Sequence, residues 1–257
     1  MRKKARRGTP SIQSLDRGLS ILEAVALSPD PVPLKDLTEL LGIDRSNVFR
    51  LANTLRQRKF LSNPEGRKEY VLGPSTWRLA RKYGRHRLVT LCHDLVRALA
   101  EETGETAHLA VREGGQALFL DHHVAEGQVV TVSGQTGEFV PLYNTAHGKA
   151  LIADCSRADL QVIFAGAPLR ATTRRTIVSL DRLADACVRI RAEGVAIDDG
   201  EFLEEVRCVA APVRDQDGRI VASVGISAPT TRFPLKRFST VSHQVSEIGL
   251  AISASLA

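Results

Sequence analysis

With 257 residues, 43% of them hydrophobic and 25% charged, the chain has an ordinary globular composition and enough length for one or two domains with cores of their own. It lacks the ~18–20-residue apolar run of a membrane span, an apolar signal core after its basic start MRKKARRGTP, and any CxxC pair among Cys92, Cys155, Cys187 and Cys208. Membrane insertion, a disulfide framework and a structural zinc site are disfavoured, and the expected location is the cytoplasm. The net charge of +6 is split: residues 1–87 hold 19 Lys and Arg against 8 Asp and Glu, whereas the rest of the chain is net acidic, which implies a polyanion-binding module joined to a mildly acidic one.

Residues 1–10 read as a disordered basic arm, either a solvated tail or a source of extra phosphate or minor-groove contact. Over 14–27, Leu15, Leu19, Leu22 and Val25 recur at helical spacing, with Ile21 widening the stripe. Pro29, Pro31 and Pro33 stop that helix. Leu34, Leu37, Leu40 and Leu41 form the apolar face of a second one, and Gly42 follows where a left-handed residue is expected. Asp44 is placed to cap a third helix by accepting from its free backbone N–H groups.

In that third helix Val48, Leu51 and Leu55 share a face with Ala52, while Arg45, Ser46, Asn47, Arg50, Asn53, Thr54 and Arg56 fall elsewhere and Phe49 is the one large apolar exception. Phe60 and Leu61 close the hydrophobic unit, and NPEGRKEY leads through a turn into the strand-like YVLG. The order is that of a winged helix-turn-helix, which sets one helix in the DNA major groove. Arg45, Ser46, Asn47 and Arg50 are the candidates for base edges, with Asn53 beside them, and Arg67 and Lys68 at the wing tip should meet phosphates. An exposed, merely solvated basic helix is the alternative.

Gly73-Pro74 separates the wing from a helix carrying Trp77, Leu79 and Ala80, read as an interdomain linker over 75–87, with Trp77 expected to pack, on a partner chain for example. Leu88, Leu91, Leu95 and Leu99 continue in a further helix. ETAHLAVREGG, QALFLDHHV and QVVTVSG then alternate or run apolar, as strands do. Helices follow from near Ala146, over 157–164 and over 180–192, with a basic segment at 170–175 between the last two. The stretch from Gly194 to Pro229 returns to strands with Asp217-Gly218 as a hairpin turn, and a last helix covers 235–255. The expected fold class is α+β: a winged helix-turn-helix domain over 11–74, the linker helix, and a domain over 88–257 built on a mainly antiparallel sheet.

SLDRGLSILEAV, the winged helix-turn-helix, LYNTAHGKALIAD, RAEGVAIDDGEFLEEVRCVAAPVRD and GRIVASVGISAP, in this order, make the chain resemble the IclR family of bacterial transcription regulators. The resemblance implies a GAF-like effector-binding and oligomerisation domain after the linker. It further implies a homodimer or dimer of dimers on a palindromic double-stranded DNA operator, control by a small organic or aromatic acid, and regulation of catabolic operons with repression the favoured sign. Its effector pocket corresponds to Asn144, Thr145, Ala146, His147, Gly148, Asp198, Cys208, Gly225 and Ser227. Gly225 stands where the family often has a serine hydroxyl, and His147, where small residues are common, could donate instead or cap the helix beginning at Ala146. Structural roles stay open: Asp198 as the pin of a turn, Cys208 as a core thiol, Ser227 at a strand end.

No catalytic residue, cofactor or metal is expected. An enzyme reading would need Cys208 as nucleophile with His122, His123 or His147 as base, but VRCVAAPV reads as a buried strand without a nucleophile signature. A metal reading would need Asp121, His122 and His123 together, and adjacent strand residues point to opposite faces.

Overall fold

The computed structural model describes residues 12–64, 67–82, 85–128, 132, 134–165 and 167–256; the basic arm of residues 1–10 lies outside them. The chain divides into two compact units, residues 1–86 and 87–257.

In the first unit the elements are α1 (Gln13–Leu27), β1 (Val32–Pro33), α2 (Leu34–Leu41), α3 (Arg45–Gln57), β2 (Leu61–Ser62), β3 (Glu69–Leu72) and α4 (Pro74–Ala80). Ile21, Val25, Leu37, Val48, Ala52, Leu61 and Tyr70 bury one another at its centre. α1 therefore turns Gly18, Ile21 and Val25 inward, and Leu15 and Leu19, expected in the stripe, are 60% and 50% exposed. α2 ends at Gly42, whose φ of 59° lets its N–H close on the Thr38 carbonyl, a conformation a Cβ would strain. Asp44 caps α3: its carboxylate accepts from the Asn47 N–H at 3.0 Å, and that bond holds the carboxyl below its usual range. β1, β3 and β2 form a small antiparallel sheet, with Leu61 opposite Leu72 in the wing. The linker helix expected over 75–87 is shorter in the structure: α4 stops at Ala80 and the next helix starts at His86.

The second unit runs α5 (His86–Thr103), β4 (Thr106–Glu113), β5 (Gln116–Val124), β6 (Phe139–Pro141), α6 (Ala146–Leu151), α7 (Arg157–Ile163), α8 (Leu180–Glu193), β7 (Ala196–Asp199), β8 (Val206–Arg214), β9 (Ile220–Pro229) and α9 (Phe238–Ser255). Six strands form one antiparallel sheet in the order β6-β5-β4-β9-β8-β7. The strand expected over 128–134 falls mostly outside the described residues, and β6 occupies the edge beside β5.

Period-two alternation gives the sheet two different faces. Val209, Ala211 and Val213 of β8 and Ala222, Val224 and Ile226 of β9 join α5 and α9 in the main core. Cys208 and Ala210 turn the other way, into a cluster with Ala146 and Ala150 of α6. α9 lies so close to the sheet that a Cβ at Gly249 would stand 2.9 Å from the Ala211 Cβ. Glu105, almost fully buried just before β4, holds the approach to α9 through Arg232 and Arg237, each at 3.0 Å. No described helix is long and apolar enough to cross a membrane.

Candidate DNA-reading face and ligand cavity

On the first unit an open cleft of about 880 Å³ runs between the start of α2, the outer face of α3 and the wing. Arg45, Ser46, Phe49 and Arg56 of α3 line it, with Lys35, Arg67 and Lys68 completing a rim of cations. Arg45, Phe49 and Arg56 share a flank because they stand at i, i+4 and i+11 on a helix of 3.6 residues per turn. Arg56 fastens helix to wing, donating to the Asn63 side-chain oxygen at 3.2 Å and to that of Asn53 at 2.9 Å. Arg67 reaches Glu69 at only 3.7 Å, with the arginine exposed and the glutamate half-buried, a long pair worth little and readily exchanged for a phosphate.

Of the residues expected at the DNA, Arg45, Ser46, Arg67 and Lys68 meet in this cleft. Arg50 is exposed outside it, and Asn53 is held as the acceptor of Arg56. Asn47 is committed to the cap, with both its N–H and its side-chain amide donating to the Asp44 carboxylate. The spacing of Arg56 from Arg45 was the available sign that it joins the same flank.

In the second unit Thr145, Ala146, His147, Asp198, Cys208 and Ser227 line one cavity, walled by Phe119, Val140, Phe202 and Val206 among others. Strand register assembles its polar floor. Thr106, Ser227, Cys208 and Asp198 sit directly opposite one another across β4, β9, β8 and β7, and His108 lies opposite Gly225 in the next row but one. The cavity measures about 50 Å³. That holds a water or two, against the ~300–1,000 Å³ of sites for organic ligands, so such a ligand must part the walls.

The polar groups are buried and incompletely matched. His147 shares a 3.0 Å hydrogen bond with Ser223 through Nδ1, while its Nε2 has no partner among the described residues. Burial holds its pKa down at about 3, against the support of Ser223, so the ring is neutral. His108, fully buried, makes a well-formed hydrogen bond at neither nitrogen among the described residues, with its ring centroid 5.8 Å from that of His147 and 4.7 Å from Phe119; burial, then His147 and His122, hold it well below its usual value against a weak opposing contribution from the Gly134 backbone. Burial raises Asp198 to about 7 against the 2.6 Å bond its carboxylate accepts from the Glu201 N–H. Asn144 donates to Thr172 at 3.0 Å, and its side-chain oxygen has no partner among the described residues.

Several expectations need revising. Thr145, not His147, caps α6, accepting from the Gly148 N–H at 3.0 Å; that N–H is therefore not aimed at a ligand. Gly148 is packed against the preceding loop, where a Cβ would stand 2.6 Å from the Leu142 carbonyl oxygen. A cation does sit nearby: Lys149, buried, is ion-paired with Glu201 and donates to the Ile197 carbonyl at 2.6 Å. At Gly225 the neighbouring strand excludes any side chain, because a Cβ would collide with the Val209 carbonyl oxygen and stand 2.6 Å from Ala210 Cα. Two residues away Ser223 carries a hydroxyl, but it is buried against His147 at 3.0 Å. Neither Ser223, His108 nor Thr106 was foreseen, although alternation puts Ser223 on the face of Ser227.

Cys208 donates to Ser227 at 3.2 Å, and burial followed by Asp198 pushes its thiol up, the reverse of an activated nucleophile. The strand histidines diverge, His123 to Glu101 at 3.0 Å and His122 to Thr136 at 3.1 Å, while Asp121 meets His93 at 2.8 Å.

Comparison with known proteins gives two profile matches: IclR helix-turn-helix domain over residues 14–64, and bacterial transcriptional regulator IclR C-terminal over residues 81–254. The chain is 30% identical over 227 residues to the transcriptional repressor IclR of Escherichia coli K12, covering 87% of this chain and 82% of that one. It superposes on the crystal structure of the Thermotoga maritima IclR with a TM-score of 0.77 at 26% identity, over 96% of this chain and 99% of that one. An IclR homolog from Microbacterium hydrocarbonoxydans, complexed with 4-hydroxybenzoate, shares the fold with a TM-score of 0.74 at 18% identity, over 95% and 98% of the two chains.

Proposed function

As the chain belongs to the IclR family of DNA-binding transcriptional regulators, we propose that it is a repressor whose hold on a palindromic operator is set by a small organic or aromatic acid bound in the second unit. The observation that carries this reading is the His147 side chain, which lines the cavity with its buried Nε2 lacking a partner among the described residues. Groups of this kind cost stability unless something satisfies them. A ligand carboxylate or phenol that accepts from the His147 N–H and meets Ser227 or Asp198 would do so, with Phe119 and Phe202 against its apolar part.

The output end is α3 and the wing. In this reading Arg45 and Ser46 contact base edges, and Lys35, Arg56, Arg67 and Lys68 contact phosphates, which their shared place in the cleft supports. One such helix spans only a few base pairs, so a dimer on a palindrome supplies the remaining affinity. The dimer or dimer of dimers forms part of the same proposal.

Ligand and operator affinities must then be coupled, each changing the other by the same factor. The test takes an operator selected from random duplexes, then titrates it with the protein at fixed salt across a panel of carboxylic and aromatic acids prescreened by thermal shift. A compound that raises the melting temperature should change operator affinity at least fivefold. If every acid that stabilises the protein leaves DNA binding untouched, the reading is wrong.

A further inference from the structure

Phe49 is 50% exposed on α3, on a helix whose Val48 and Ala52 are fully buried. The core of its unit closes without it, built from Ile21, Leu37, Val48, Ala52, Leu61 and their neighbours. Instead the ring stands in the cleft one turn after Arg45, where Pro33, Leu34 and Tyr70 form part of the wall and every other lining side chain is a cation or a hydrogen-bonding group. A lone exposed aromatic is unremarkable on most surfaces. Here it occupies the face which, on the function proposed above, enters the DNA.

A duplex offers few partners to such a ring. Its phosphates are anionic and its base edges are hydrogen-bond donors and acceptors; the apolar group projecting into the major groove is the 5-methyl of thymine. The major groove, about 12 Å wide, admits a helix, while the minor groove, about 6 Å wide, does not, so insertion of the ring as a minor-groove wedge is disfavoured. Phe49 also lies in the first half of α3, the part of a recognition helix that reaches base edges.

We propose that Phe49 is a specificity-determining residue that reads thymine, its ring covering the 5-methyl group of one thymine in each half-site, beside the bases contacted by Arg45 and Ser46. The inference rests on α3 being the base-reading helix. It adds an apolar letter to a code that the neighbouring side chains would otherwise write in hydrogen bonds alone.

The experiment uses the full chain and an operator selected from a random duplex library. Each thymine of the selected half-site is replaced in turn by deoxyuridine, which removes the methyl and nothing else. Burying one methyl corresponds to about a fourfold change in affinity. Wild type should show one position where the replacement weakens binding by about fourfold per half-site. Phe49→Ala should bind thymine and deoxyuridine equally at that position, and Phe49→Leu should keep part of the difference. Neither substitution removes a charge, so the dependence of affinity on salt should stay as in wild type.

A selected site with no thymine whose methyl matters overturns the proposal, and the wild-type protein alone decides this, whatever the variants' folding. Undiminished discrimination in a folded Phe49→Ala overturns it equally. Failure of the selection to yield any preferred sequence is a different result, and it defeats the reading of α3 as a base-reading helix.

Discussion

Replacing Gly225 by serine, the residue the family often carries there, should damage this chain rather than complete it. The new Cβ would collide with the Val209 carbonyl oxygen and stand 2.6 and 2.7 Å from the Cα and Cβ of Ala210. Two of these three neighbours are backbone of the adjacent strand, so no side-chain rotation relieves the contact and β8 itself must move. Overpacking of this kind costs about 1–3 kcal/mol, and displacing a central strand belongs at the upper end, about 3 kcal/mol. In a unit of this size that is a fall in melting temperature of roughly 6–12 °C. Gly225→Ala should lose nearly as much, because the collision is made by the Cβ and not by the hydroxyl. Urea denaturation and calorimetry of both variants check the claim. A Gly225→Ser protein within about 0.5 kcal/mol of wild type would show that β8 and β9 have room there and that the reasoning about the missing hydroxyl is mistaken.

Asp198 and His147 make opposite demands on pH. Asp198 keeps its proton in the folded state up to about 7, against 3.8 for an unperturbed aspartate, so its contribution is complete below about 3.8 and is lost as pH rises through 7. His147 stays neutral down to about 3, against 6.5, so its contribution is complete above 6.5 and is lost as pH falls towards 3. Asp198→Asn should therefore gain on wild type as pH rises from 4 to 7, by up to about 1.4 kcal/mol per pH unit; parallel stability profiles from denaturant titrations would contradict this. Lys149→Met strands Glu201 as a partly buried charge and should cost up to about 3 kcal/mol, whereas adding Glu201→Leu should recover most of the loss in a double-mutant cycle. Asp44→Ala should speed amide exchange at Asn47 and fray the turn that presents Arg45 and Ser46, weakening operator binding without changing the preferred sequence; unchanged exchange at Asn47 refutes the cap.

Local chemistry was readable from the residues. Gly42 at the end of α2, Asp44 ahead of α3 and Asp217-Gly218 between β8 and β9 each announce a conformation that few other residues serve as well, and the helices other than the linker lie close to their expected limits. Burial within a helix was less legible. The stripe of α1 holds Gly18 with Ile21 and Val25, because the close neighbours of α1 select that face over Leu15 and Leu19. Asn47 looked like a base reader because an amide suits adenine, but three positions from a capping aspartate it also suits the cap, and the cap holds it. At the cavity, resemblance pointed to six residues that do line it. What it could not supply was register. Thr106 and Asp198 share a row only through the pairing of four strands, and His108 comes opposite Gly225 by the same pairing; a slip of one residue would turn each to the other face.

The contact of Gly249 with Ala211 gives the sheet a mechanical character. β8 is a partition one strand thick, with Cys208 against the cavity on one side and Val209 and Ala211 against α5 and α9 on the other. At Gly249 there is no space even for a methyl group, so the partition has no slack to absorb a push. Close-packed interiors transmit strain instead of compressing. On the function proposed above, a molecule that wedges the cavity open against β8 would press on α9 across that partition. α5, packed in the same core, begins where the first unit ends along the chain. The glycine is the bearing of that linkage, and a larger residue there would load it permanently, with the cavity empty.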